Sequence, residues 1–111
     1  MPILGRDAPA TTVTQLKISI AAAGLNEIIA TPGAGKQLWI YKLMLSVARG
    51  SQTAITYQSG ANELSSAMQA DVIADDLVDS PMKCNTNEAF NLTLSDAVAV
   101  TGYVMYQVVN A

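Results

Sequence analysis

Short runs that alternate apolar and polar residues fill most of this chain, and a side-chain period of two fits a strand half-buried against a core. The clearest run is residues 15–20, where Leu16, Ile18 and Ile20 share one face and Lys17 and Ser19 the other. Residues 90–95 repeat the pattern, with Phe90, Leu92 and Leu94 set against Asn91, Thr93 and Ser95. Turn chemistry separates the runs: Ala21-Ala22-Ala23-Gly24, Arg49-Gly50-Ser51-Gln52 and Ser59-Gly60-Ala61-Asn62 all interrupt the alternation. This punctuation predicts an all-β chain.

Residues 25–30 form a second strand candidate, and Thr31-Pro32-Gly33-Ala34-Gly35-Lys36 is the turn that would reverse the chain into residues 37–48 as a hairpin. That third run is the longest. One face of it carries Trp39, Tyr41, Leu43, Leu45 and Val47 and is expected to meet the core. The other carries Leu38, Ile40 and Met44, interrupted by Lys42 and Ser46, and is apolar enough to be partly covered by another layer or a neighbouring subunit. A run this apolar also fits a buried helix, but its Trp, Ile, Tyr and Val content favours a pleated surface. Residues 53–58 and 98–109 complete the strand candidates, with Gly102 inside the last marking a bulge or a close backbone approach. Residues 63–87 are less legible: 67–74 fit a strand or a short helix, and Asp75-Asp76, Ser80-Pro81 and Asn85-Thr86-Asn87 mark turns. About eight short strands at regular spacing predict a single-domain antiparallel β-sandwich, jelly-roll-like, over residues 14–111. Residues 1–13, with Pro2, Gly5 and Pro9 ahead of any periodicity, read as an extended amino-terminal arm.

Composition narrows the function. Only 14% of the residues are charged, against about 25% in ordinary soluble domains. A small domain has proportionally the most surface to keep wet, so sparse charge points to surface covered by other chains. A surface of Ser, Thr, Asn and Gln is the alternative. The net charge of −3, with Arg6, Lys17, Lys36, Lys42, Arg49 and Lys83 scattered singly, argues against a nucleic-acid binder, which needs clustered cations. No apolar stretch reaches the roughly 18 residues of a membrane span, and the first ten residues lack the pattern of a signal peptide.

The chain has no histidine and one cysteine, Cys84, so no internal disulfide forms and synthesis in a reducing cytoplasm follows. A nucleophilic cysteine usually relies on a histidine partner, which makes Cys84, in its polar Lys83-Cys84-Asn85 setting, an incidental thiol. The segment from Ala30 to Gln37 echoes a phosphate-binding loop but places Ala30 at the first glycine and Gln37 at the metal-binding hydroxyl. Asp71, Asp75, Asp76 and Asp79 lack the glycine and closing glutamate of a calcium loop and read as a solvated acidic segment. No catalytic set, cofactor or metal site is expected, and the chain reads as non-enzymatic.

Two stretches carry a family resemblance. Residues 24–38 join a short aliphatic strand to the Pro32-Gly33-Ala34-Gly35-Lys36 turn, and Asn87-Glu88-Ala89-Phe90-Asn91-Leu92-Thr93-Leu94-Ser95 runs on to Val100-Thr101-Gly102-Tyr103. Together they resemble small β-sandwich decoration (cement) proteins of tailed bacteriophage capsids. The resemblance implies a virion structural protein, made in the host cytoplasm, that sits on the capsid surface as a homo-oligomer, most readily a homotrimer, and clamps the major capsid protein lattice. Pro2, Ile3 and Leu4 of the arm and Trp39, Tyr41 and Tyr103 are the expected interface anchors. The alternative is a carbohydrate-binding β-sandwich module of a phage fibre or tail, its outward aromatics stacking on sugar rings.

Overall fold

The computed structural model describes residues 13–69 and 71–111. Pro2, Ile3, Leu4 and the rest of residues 1–12 lie outside the described residues. The described chain is all-β, with ten strands: β1 Thr14–Ile20, β2 Gly24–Ile29, β3 Lys36–Val47, β4 Ala54–Ser59, β5 Asn62–Glu63, β6 Met68–Gln69, β7 Val72–Asp76, β8 Met82–Lys83, β9 Phe90–Leu94 and β10 Val100–Asn110. Residues 67–74, which fit either strand or helix by their sequence, hold β6 and the start of β7.

The pairing is nested and antiparallel: β1 with β10, β2 with β9, β3 with β7 and β8, β4 with β5 and β6. Two further pairings, β10 with β3 and β9 with β4, roll this long ribbon into two sheets. The first sheet runs β1-β10-β3-β7 with β8 also on β3; the second runs β2-β9-β4-β5 with β6 also on β4. This is the two-sheet jelly roll, its expected eight positions becoming ten strands because two of them are each split in two.

The rolled topology corrects one local expectation. The turn from Thr31 to Lys36 closes no hairpin, because β2 lies in the second sheet and β3 in the first. The Lys36 N–H donates to the Gly33 carbonyl at 3.1 Å and the Gly33 N–H to Asn87 Oδ1 at 3.1 Å, so the turn carries the chain across the sandwich. A turn's residues specify reversal, and only the pattern of buried faces specifies which sheet receives the next strand.

β3 corrects a second. Opposite β10 the register steps between Met105, which faces Lys42, and Tyr106, which faces Ile40, so Tyr41 is an unpaired extra residue. Such a bulge reverses the side-chain phase on its far side. Leu43, Leu45 and Val47 point into the core as expected, but so do Leu38 and Ile40, both fully buried. Trp39 is therefore turned outward and is only half-buried, and Tyr41, although buried, stands outside the core cluster.

The core between the sheets joins Ile18, Leu38, Ile40, Leu43, Leu45, Val100 and Val104 of the first sheet to Ile55, Tyr57, Phe90, Leu92 and Leu94 of the second. Each such fully buried aliphatic or aromatic side chain contributes about 1.5–3 kcal/mol over leaving it exposed. A polar bond crosses the layer where the Tyr57 hydroxyl on β4 donates to Asp75 Oδ2 on β7 at 2.8 Å. Asp75 and Asp76 therefore part company, as successive strand residues must, one turned inward and the other outward. Among the described residues no three of His, Cys, Asp or Glu gather as a metal site.

Cys84 is fully buried within the core cluster, against the polar setting its sequence neighbours imply. Burial pushes its thiol up to about 11, a bond with Ser59 lowering it and the nearby Glu88 carboxylate raising it. The neutral thiol is a packing group. We expect Ellman's reagent to find no reactive thiol in the native protein at pH 8 and one per chain after denaturation; rapid native labelling would contradict that placement.

Candidate functional site

Strand alternation and register place the outer surface of the first sheet in rows that cross β1, β10, β3 and then β7 or β8. One row is Lys17, Tyr103, Met44 and Ala74; the next is Gln15, Met105, Lys42 and Asp76; beyond the bulge, Gln107 faces Trp39 and Trp39 faces Lys83. Of the residues that the sequence marks as interface anchors, Trp39 and Tyr103 lie on this face, and Tyr41, in the bulge, joins it through its hydroxyl bond to Gln107. The fourth to sixth, Pro2, Ile3 and Leu4, are among the residues not described.

The polar tips of two of these aromatics are used up inside the protomer. Trp39 Nε1 donates to Gln37 Oε1 at 2.9 Å, and Gln37 Nε2 in turn donates to the Cys84 carbonyl at 2.7 Å. The Tyr41 hydroxyl donates to Gln107 Oε1 at 2.8 Å, and burial raises its pKa. Lys83 Nζ sits 4.4 Å from the centre of the Trp39 ring, a cation–π distance that also fixes the indole. Met44, Met105 and Tyr103 stand half-buried between them, and Val72 is 59% exposed at the margin. Rings whose hydrogen bonds are already satisfied, with methionines between them, make a surface that gains by losing water.

The outer surface of the second sheet differs. Thr93 Oγ1 donates to Gln58 Oε1, Gln58 Nε2 to the Ala61 carbonyl at 3.4 Å, and Asn91 Nδ2 to the Gly60 carbonyl at 2.9 Å. Its strands carry Glu27 and Glu63 and no lysine or arginine, whereas β1, β3 and β8 carry Lys17, Lys36, Lys42 and Lys83. The two faces differ most in charge: the first carries lysines beside Asp76, and the second carries Glu27 and Glu63, with Leu25 53% exposed among its polar side chains.

At one end of the sandwich a carboxylate ties the loops. Glu88 accepts from Ser59 Oγ at 2.6 Å, Asn85 Nδ2 at 3.1 Å and Asn62 Nδ2 at 3.4 Å, while Ser59 Oγ accepts from the Asn85 N–H at 2.8 Å. The Ser59 bond first, then those of Asn85 and Asn62, hold the Glu88 carboxyl below the usual carboxylate range. A pKa lower in the folded than in the unfolded chain stabilises the fold above the unfolded value, near 4.3, and that contribution is lost as pH falls through the folded value. The stability of Glu88→Gln should therefore fall less between pH 5 and pH 2 than that of the parent, as measured by urea denaturation; parallel pH profiles would show that the carboxylate contributes nothing.

Met44, Met105 and Lys83 share this face without being singled out by the sequence: Met44 lies on the face of β3 that reads as unusually apolar, Met105 carries no such signal, and Lys83 reaches the face because the bulge turns Trp39 toward β8. Comparison with protein-family models, curated proteins and solved structures finds no match to this chain.

Proposed function

We propose that this chain is a non-enzymatic virion structural protein, a decoration protein that binds and stabilises the major capsid protein lattice of a tailed phage as a homo-oligomer, most readily a trimer. The observation that carries the reading is the outer face of the first sheet, where Trp39, Tyr41 and Tyr103 stand together with Met44 and Met105. An aromatic and methionine surface on a chain with few charges fits burial against other chains better than exposure to water. Resemblance of residues 87–103 to such proteins supplies the capsid, and the rigid jelly roll supplies a scaffold for repeated weak contacts, whose affinities combine when an oligomer engages several lattice points together.

Residues 1–12 are the proposed grip on the lattice. Removing them should leave the solution mass per oligomer unchanged and abolish co-sedimentation with capsids of the encoding phage; retained co-sedimentation would sink that assignment. The outward aromatics equally suit sugar stacking. Binding to a glycan array that is lost in Tyr103→Ala, with no capsid binding, would replace the decoration reading with a carbohydrate-binding one.

A further inference from the structure

We infer that the outer face of the first sheet is the contact between copies of this chain, with the β1–β10 half of one copy laid on the β3–β7 half of the next. This deepens the proposed function: it rests on self-association, which it makes a two-fold pair rather than a trimer, and not on the capsid.

The first support is the arrangement of charge. Lys17 stands on β1 at one margin of the face and Asp76 on β7 at the opposite margin, in neighbouring rows. Lys42 is directly opposite Asp76 in register, and Lys83 is held over the Trp39 ring. Laying one half of the face on the complementary half of a second copy brings Lys17 beside Asp76 of the next copy, and Tyr103 onto its Met44. The match is self-complementary about a two-fold axis, so the one face closes a pair of copies. The second sheet offers no such match: apposing two copies of it would bring the like charges of Glu27 and Glu63 together.

The second support is size. Four strands about 4.8 Å apart span roughly 19 Å, and the shared length of β3 and β10, some ten residues at about 3.3 Å each, gives roughly 30 Å. The projected face is about 600 Å², and the accessible area of a side-chain-covered surface exceeds its projection. That approaches the roughly 800 Å² per partner of a standard stable interface. The middle of the face is aromatic and methionine-rich and its charges lie toward the margins, the anatomy of an interface core with a polar rim.

The test needs only the purified chain. Sedimentation equilibrium of the parent should give a mass of two protomers; a mass of three would overturn the face-to-face pairing. Tyr103→Glu, which sets a charge at the centre of the contact, should raise the dissociation constant about thirtyfold or more. Lys17→Glu and Asp76→Lys should each raise it about tenfold, and the double variant should recover most of the loss because the two charges are exchanged rather than removed. Glu27→Lys on the other sheet should leave the mass unchanged. Far-UV circular dichroism of each variant checks that the fold is kept, and Tyr103→Ser, which adds no charge, replaces Tyr103→Glu if that variant does not fold. A monomeric parent, an oligomer indifferent to Tyr103, or one dissociated by Glu27→Lys overturns the inference. Capsid co-sedimentation of a monomeric parent would leave the decoration reading standing on its own.

Discussion

Gly102→Ala is expected to destabilise the protein by about 4 kcal/mol or more, at the far end of what single substitutions do. Gly102 lies on β10 opposite Leu45 of β3, in the pairing that joins the two longest strands of the first sheet. A Cβ built there would sit 1.8 Å from the Met44 carbonyl oxygen and 2.8 Å from its carbon, well inside contact distance, and the obstacle is backbone rather than a movable side chain. Its φ of +154° is also one that side-chain-bearing residues rarely adopt. Relief requires β10 and β3 to part, which breaks ladder hydrogen bonds and opens the core beside Val100 and Val104. With a total stability of about 5–15 kcal/mol for a domain of this kind, the midpoint of thermal unfolding should fall by roughly 15–25 °C. Gly33→Ala is the control: Gly33 also has a positive φ, +116°, but nothing lies within 4 Å of its Cβ position. It should lose only about 1 kcal/mol. Equal losses at the two sites would show that backbone strain, not the close approach of two strands, is what Gly102 relieves.

The glycine is also where sequence reasoning reached furthest. A glycine inside a strongly β-forming run needs a reason, and close backbone approach is one of two that physics allows. The strands themselves were legible for the same cause, since a period of two survives wherever one face is buried and the other wet. What was not legible was the order of sheets. Local turn chemistry at Pro32-Gly33-Ala34-Gly35-Lys36 cannot say whether the next strand pairs with the last one or crosses to the other layer, because both begin with the same reversal. The thiol of Cys84 misled by its neighbours: Lys83 and Asn85 are polar because strand alternation turns them away from the core that Cys84 enters. The candidate face was half visible. Residue type marks Trp39, Tyr41 and Tyr103, but a regular period of two puts Trp39 and Tyr41 in the core, and the bulge that reverses them carries no signature beyond a change of phase in an apolar run.

That change of phase makes a sharp prediction. If β3 were regular, Trp39 would share the core with Leu43 and Leu45, and Leu38 and Ile40 would face out. With Tyr41 bulged, Leu38 and Ile40 are at 0% exposure and Trp39 lies outside the core cluster. Leu38→Ala should therefore lose about 2–5 kcal/mol in urea unfolding, from lost transfer energy and the cavity left behind. Trp39→Ala removes a much larger side chain, yet should lose less than Leu38→Ala within the protomer, because the ring lies on the outer face and its removal leaves no enclosed cavity between the sheets. Deleting Tyr41 should do more than either substitution. It restores a regular ladder with β10 but moves residues 36–40 by one position, so that Leu38 and Ile40 leave the core and Gln37 and Trp39 enter it. Exposing two aliphatic side chains loses about 3–6 kcal/mol, before the burial of the Gln37 amide is added, which is comparable to the whole stability of a small domain. The deletion variant should fail to unfold cooperatively or should not accumulate as folded protein. A Trp39→Ala loss larger than that of Leu38→Ala when both are measured in the Tyr103→Ser background, or a deletion variant that melts like its parent, would mean that Trp39 belongs to the core rather than to the outer face.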